Sequence, residues 1–363
     1  MNYEELIKRL DDIDPIAYGK SRNFTDGAVT ELSPYISRGV IDTKTVLLHL
    51  VKRGFKYYHV QKFVQQMAWR EFFQRVWQNV GENINTDLKQ DQGARFQKDM
   101  SLSVDEAATG IEAIDDSIVS LKENGYMHNH VRMYVAFMTC NLAGFHWHDP
   151  ARWMYYYLLD GDWASNALSW QWVAGTFSSK KYIANQENIN HYTKSTQRKT
   201  YLDCSYEELA EAKAPSHLIE STNLILTTHL PEAAPLNIDN SKPTCIYNYY
   251  NLSPVWRKEE NANRVLLLEP EFFERYPVSD GCIAFMMEQC KNIEGIQVFV
   301  GSFVELQKHT KQSTLYFREH PLNQYYKGIE DPREWMIQTK QPVHGSFFSF
   351  WKKYERQIEK EYF

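Results

Sequence analysis

Apolar residues recur three and four positions apart through most of the first 210 residues. Residues 44–58, 60–79, 111–124 and 129–145 each carry this spacing, which predicts helices with one buried stripe. Alternating strand patterns are hard to find there. The most apolar stretch, 133–147, contains Asn141 and ends in His146 and His148, so it reads as a buried helix too short to span a bilayer. Between 214 and 244 the character changes. Pro215, Pro231, Pro235 and Pro243 stand among Asn, Ser and Glu, which marks a boundary with one candidate strand at 224–228. Beyond it the period shortens: 245–250, 264–269, 296–301 and 314–319 are apolar runs of strand length. Ser279 and Asp280 can cap a helix whose apolar face is Ile283, Met286, Met287, Cys290 and Ile293. Strand, helix, strand is a βαβ pattern and predicts a parallel sheet. The tail from Ser346 reads as a closing helix. The expected fold is mainly α, with an all-helical domain over 1–213, a linker over 214–243 and a smaller α/β, Rossmann-like domain over 244–363.

Composition narrows the class. A chain of 363 residues can bury a sizeable core. Its 10 Trp, 23 Tyr and 19 Phe suit either a large aromatic core or a flat ligand. A formal net charge of −6 gives no global attraction for nucleic acid, so any such site must be a local basic patch. Five scattered cysteines with no CxxC spacing read as reduced thiols and disfavour a cysteine-held metal. The acidic, amphipathic start MNYEELIKRLDD is not a signal peptide. The expectation is a soluble, cytoplasmic protein with no membrane partner.

Four clusters carry candidate chemistry. The first joins Tyr18 and Arg22 to the run 29–34, where Thr30 and Ser33 before Pro34 can cap a helix and leave its first amides for a phosphate. An ordinary capped helix start is the plainer reading. In the second, Gln66, Trp69 and Arg70 share one helical turn. With Lys52, Arg53, Lys56, Lys62 and Arg75 set against Glu71, that region suits an extruded base flanked by phosphates, or a solvated helix face. The third is His128, Asn129, His130 and Arg132. No carboxylate stands at ligand spacing within this HxH pair or within His146 and His148, so hydrogen-bonding histidines are favoured over a metal site, and none is assigned. The fourth packs Asp160, Gly161, Asp162, Trp163, Asn166, Trp170 and Trp172 together. Asn166 offers donor and acceptor to a heterocycle edge, and an acid here can pair with Arg132. No GxGxxG or P-loop marks a nucleotide site in the α/β part.

Taken in order, Tyr-x3-Arg at 18–22, LSPY at 32–35, WREF at 69–72, MHN-x-x-RM at 127–133 and DGD-x3-N-x3-WQW at 160–172 make residues 15–195 resemble the FAD-binding helical domain of the photolyase/cryptochrome family. The resemblance implies FAD held by Tyr18 and the turn Thr30, Glu31, Leu32 and Ser33, with the isoalloxazine against Asp160, Gly161 and Asp162. It places Asn166 at flavin N5 and pairs Arg132 with Asp160. Trp170 and Trp147 match two members of an electron relay that reduces the flavin. In photolyases an excited, reduced flavin passes an electron to a flipped-out pyrimidine dimer, which must leave the stack to be reached. Trp69 would stack on the lesion, Asn129 would bond it, and Gln66, Arg22, Arg70 and His130 would lie near it or the DNA backbone.

Departures from the family pattern bear on function. Gln66 stands where cyclobutane-dimer enzymes have Glu; Gln is typical of (6-4) photolyases and animal cryptochromes. Asn129 and Met133 occupy the places of two histidines that (6-4) repair uses for proton transfer. His130 replaces a common arginine, and Glu31 brings an acid into the phosphate turn. No Trp lies between Trp77 and Trp147, so the third relay member is missing, with Tyr or Trp153 as substitutes. The helical and α/β segments stand in reversed order, and no antenna chromophore site is assignable. The function implied is a light-dependent, FAD-containing photolyase acting on pyrimidine dimers in single- or double-stranded DNA. The alternative is a cryptochrome-like blue-light photoreceptor or flavin redox protein without repair.

Overall fold

The computed structural model describes residues 1–93, 98–232, 235–311, 313–339, 341–342 and 345–363. Two compact units interleave along the chain. One comprises Met1–Pro15, Thr30–Asn79 and Thr227–Phe363, the other Ile16–Val29 and Val80–Leu226.

The first unit is built on five parallel strands: β1 (Thr244–Tyr247), β2 (Asn263–Leu268), β3 (Ile296–Val300), β4 (Leu315–Arg318) and β5 (Ile329–Asp331). Their order is β3-β2-β1-β4-β5. This doubly wound order needs a crossover between successive parallel strands. The helix Asp280–Cys290 makes the one from β2 to β3, with the Ser279 side chain accepting the Cys282 N–H as the sequence predicts. The helix Phe303–His309 leads to β4 from a Ser302/Glu305 capping box. Ile246, Val265, Leu267, Phe303, Leu306, Phe317 and Tyr326 form a core cluster on the sheet.

Helices from early in the chain belong to this same unit. The helix predicted over 44–58 is shorter, Thr43–Lys52, because Gly54 takes φ +79° and turns the chain. A second helix then runs Tyr57–Val80. The closing helix, Phe347–Tyr362, buries Phe347, Phe350, Trp351, Tyr354 and Ile358 at helical spacing.

The second unit is helical apart from one short strand pair. Its main helices are Glu112–Asn124, Asn129–Ala136, His148–Tyr157, Trp163–Ala174 and Gln186–Thr193. The helix expected over 129–145 leaves α geometry after Ala136 and widens into a π-helical turn at Phe137–Leu142. The candidate strand at 224–228 does not form. Ser221–Thr222 pairs instead with Met100–Ser101, where the Ser101 hydroxyl donates to the Leu218 carbonyl and fixes the register. Met100–Ser101 is a short strand inside the stretch read as all-helical, and its partner lies in the stretch read as a linker. Among the described residues no helix is long and apolar enough to cross a membrane.

Candidate functional site

In the second unit, Arg132 sits in the first turn of Asn129–Ala136. Its Nη2 donates to both Asp160 oxygens at 3.0 Å, and its Nε donates to the Met127 carbonyl at 2.9 Å. The two side chains are 21% and 10% exposed, so the pair is largely shielded from water. Asp160, Gly161 and Asp162 form the turn that starts Trp163–Ala174. A Cβ at Gly161 would lie 2.9 Å from the Leu158 carbonyl oxygen and 3.1 Å from that of Tyr155, which explains the glycine. Asp162 caps the helix by accepting from the Ser165 N–H and hydroxyl.

One turn later Asn166 is buried. Its amide nitrogen donates to the Ala151 carbonyl at 2.8 Å, which fixes the amide's orientation. Its oxygen accepts no hydrogen bond among the described residues, leaving an acceptor open. These groups fit the polar edge of a flavin: a held amide oxygen on the helix that follows a guanidinium–carboxylate pair.

The tryptophans are sunk in the unit. Trp147, Trp153, Trp163 and Trp170 are each at most 2% exposed. Trp147 Nε1 donates to Asp87 at 2.7 Å, Trp153 Nε1 to Asp105 at 2.8 Å and Trp163 Nε1 to Asn85 at 2.9 Å. Trp153, the candidate third relay member, meets the more exposed Tyr157 edge-on at 6.0 Å.

Tyr18 and Arg22 of the first sequence cluster and the whole of the third lie in this unit. The His130 ring nitrogen Nδ1 bonds the Asn23 carbonyl at 3.0 Å, and the ring packs on Tyr134 and Tyr192 at 4.9 and 4.3 Å. Burial lowers the His130 pKa. It pushes His128 down to about 4, helped by His130 and Arg132. Burial also raises the Tyr18 hydroxyl, with Arg22 pulling the other way. Asn129, at the start of its helix, is exposed. Nearby Lys194 lies 4.1 Å over the Phe24 ring, and Lys180, Lys181, Arg198 and Lys199 are exposed.

The first unit carries the remaining predicted residues. The helix beginning at Ser33 has no side-chain cap, contrary to expectation, because the Thr30 hydroxyl turns back to accept the Leu32 N–H at 3.4 Å. Glu31 adopts φ +52°, and Arg9 holds this turn by donating to the Thr30 carbonyl at 2.9 Å and to Glu31 at 3.1 Å. The acid in the turn is thus offset by a cation the sequence motifs did not flag. Gln66, Trp69 and Arg70 lie on Tyr57–Val80, and Trp69 stacks on Phe347. The basic face predicted around them is smaller than the residue count implies. Arg75 is buried and donates to the Ile337 carbonyl, while Arg53 donates to the Leu10 and Ile13 carbonyls. Both guanidiniums are thus engaged with backbone carbonyls.

Arg9, Asp87 and Phe347 escape sequence reading because each sits far along the chain from the group it meets and in no motif. Among the described residues, no three His, Cys, Asp or Glu side chains gather as metal ligands.

Residues 63–228 match the model for the FAD binding domain of DNA photolyase. That stretch is similar to the FAD-binding domain of photolyases. FAD is the cofactor of that domain. The deoxyribodipyrimidine photo-lyase of Streptomyces griseus is 30% identical over 150 residues, covering 41% of this chain and 32% of the relative. That of Vibrio cholerae is 31% identical over 171 residues, covering 44% and 36%. The chain therefore spans about a third of the length of these photolyase relatives. Among solved structures, a class III photolyase from Agrobacterium tumefaciens is 27% identical with a TM-score of 0.42, over 48% of this chain and 37% of that one. A Synechocystis cryptochrome is 22% identical with a TM-score of 0.46, over 53% and 43%.

Proposed function

We propose that this chain is a light-dependent DNA photolyase that acts on pyrimidine dimers. The supporting observation is the buried Asn166 amide, fixed by Ala151, with its oxygen open on the helix that follows the Arg132–Asp160 pair. Tyr18, Arg132, Asp160, Gly161, Asp162 and Asn166 of the second unit would hold FAD. When bound and reduced, the flavin supplies the light-driven electron for dimer splitting.

The chain's own residues divide the remaining work. Arg132 balances the Asp160 charge and holds both carboxylate oxygens in place. The Asn166 oxygen accepts at the ring edge. Trp170 and Trp147, buried and rigid, serve as electron donors that keep the cofactor reduced. In the first unit Trp69 offers a stacking face to an extruded base, with Gln66 for its polar edge and Arg70 for the DNA backbone. In the second, Asn129 offers an amide, and Arg22 and His130 offer donors for phosphates. Exposed Lys180, Lys181, Arg198 and Lys199 add charge for phosphates.

A second reading, a photoreceptor or flavin redox protein without repair, is favoured by one observation. The face of Trp69 that a base would use is covered by Phe347. Two measurements test the proposal. Chromatography of the released cofactor should give FAD, and equilibrium binding should favour DNA with one pyrimidine dimer over the intact sequence. Equal affinity for both would favour the second reading.

A further inference from the structure

The buried indoles of the second unit are not partnered alike. Trp163 donates to the amide oxygen of Asn85, which satisfies a resting indole. Trp153 donates to Asp105, but that carboxylate also pairs with Lys122 at 2.7 Å. Trp147 donates at 2.7 Å to Asp87 Oδ1, and Asp87 meets no lysine or arginine among the described residues. The other Asp87 partners are the Gln92 N–H, at 2.7 Å from Oδ2, and His146 Nε2, at 3.3 Å from Oδ1. His146 Nδ1 accepts the His148 N–H, so the neutral ring carries its hydrogen on Nε2, the nitrogen that faces Asp87.

The pair is also held rigidly. The Gln92 side chain accepts the Trp147 N–H at 3.0 Å and donates to the Phe145 carbonyl at 3.0 Å. The segment 87–92 and the turn 145–147 therefore lock each other around one indole N–H···carboxylate contact. Trp147 is fully buried, while the Asp87 side chain is 15% exposed and can exchange a proton with water.

We propose that Asp87 is the proton acceptor for Trp147 when that ring gives up an electron. The inference rests on the relay reading of Trp147 in the proposed function. One electron leaves the indole for a one-electron oxidant, the light-excited oxidised flavin, and the remaining cation makes the Nε1–H strongly acidic. The Nε1–H bond breaks with its electron pair kept on nitrogen, and an O–H bond forms on Asp87 Oδ1. The ring is left as a neutral radical and Asp87 as a carboxylic acid, so one electron and one proton have left Trp147. His146 cannot take this proton on Nε2, which already bears one; it is a positioning residue that steadies the carboxylate. Deprotonation removes the cation to which the electron would otherwise return, which lengthens the charge-separated state.

The experiment compares the flavin-loaded parent with Trp147→Phe, Asp87→Asn and Asp87→Glu. Asparagine keeps an acceptor oxygen for the indole but cannot take its proton. In the dark, ¹⁵N-tryptophan spectra should show one strongly deshielded indole N–H, absent in W147F, shifted upfield in D87N and restored in D87E. After a blue flash, transient absorption should show the neutral tryptophan radical in the parent, forming more slowly in D2O. D87N should lose that signal and show a radical cation that decays by recombination, while D87E should recover it. A neutral radical in D87N at the parent's rate overturns the assignment of Asp87. A radical signal unchanged in W147F instead removes Trp147 from the relay, and the proton-acceptor role with it.

Discussion

Phe347 lies parallel to Trp69, with ring centroids 3.7 Å apart and planes 13° from coincident. Trp69 is half-buried and Phe347 almost fully buried, so the closing helix uses this ring as part of its seat. The same indole face is the one proposed to receive a lesion. Phe347→Ala should therefore tighten binding of dimer-containing DNA, measured by fluorescence anisotropy, although it lowers stability by about 3–5 kcal/mol. A double-mutant cycle with Trp69→Ala should give a coupling of about 0.5–1.5 kcal/mol. Affinity unchanged by Phe347→Ala would mean that Trp69 is not the stacking platform.

Glu71 is a structural acid inside the WREF motif. It is fully buried and accepts from the Thr43 hydroxyl at 2.5 Å and from the Met336 and Ile337 N–H groups at 2.6 and 3.0 Å. Burial still raises its pKa, against the pull of those donors and of Arg75. Glu71→Gln should cost about 2–3 kcal/mol in urea unfolding, because the amide NH2 must face a donor. Glu71→Ala should cost more, since it leaves two buried N–H groups without acceptors.

Arg132 makes its contacts through geometry that a lysine cannot copy. Arg132→Lys should keep a charge near Asp160 but lose the Nε–H bond to Met127 and the fixed guanidinium plane. FAD affinity, read by fluorescence titration of the apoprotein, should fall about 10- to 100-fold, the equivalent of one charged hydrogen bond. Retained affinity would take this pair out of the flavin pocket.

His128 gives the fold an acid sensitivity. The unfolded imidazole takes a proton near 6.5, whereas the folded ring resists protonation down to about 4. Below pH 6.5 the unfolded state binds the extra proton, so stability falls as pH drops from about 6.5 toward about 4. Urea midpoints measured across that window should decline in the parent, and the decline should flatten in His128→Gln.

Much of the fold is legible in the sequence where one period dominates. The runs at 264–269 and 296–301 become parallel strands flanking a Ser279-capped helix because apolar runs and a cap agree locally. The turn Asp160–Asp162 is equally readable, since each residue there has one local job. Contacts between remote segments are not. Nothing near Tyr57–Val80 announces that Phe347 will stack on Trp69, or that Arg75 will serve the Ile337 carbonyl. Counting cations along that helix therefore overstates its basic face. Gly54 breaks the helix although the apolar period continues on both sides of it, so periodicity alone runs through the turn.

The most direct test mixes the reduced, FAD-loaded protein anaerobically with DNA carrying one cyclobutane dimer, or one (6-4) product, under near-ultraviolet or blue light. Light-dependent restoration of intact bases is expected for one of the two lesions, lost in Trp69→Ala. No restoration of either lesion by protein that holds FAD and photoreduces it would contradict the photolyase assignment and favour the photoreceptor or redox reading.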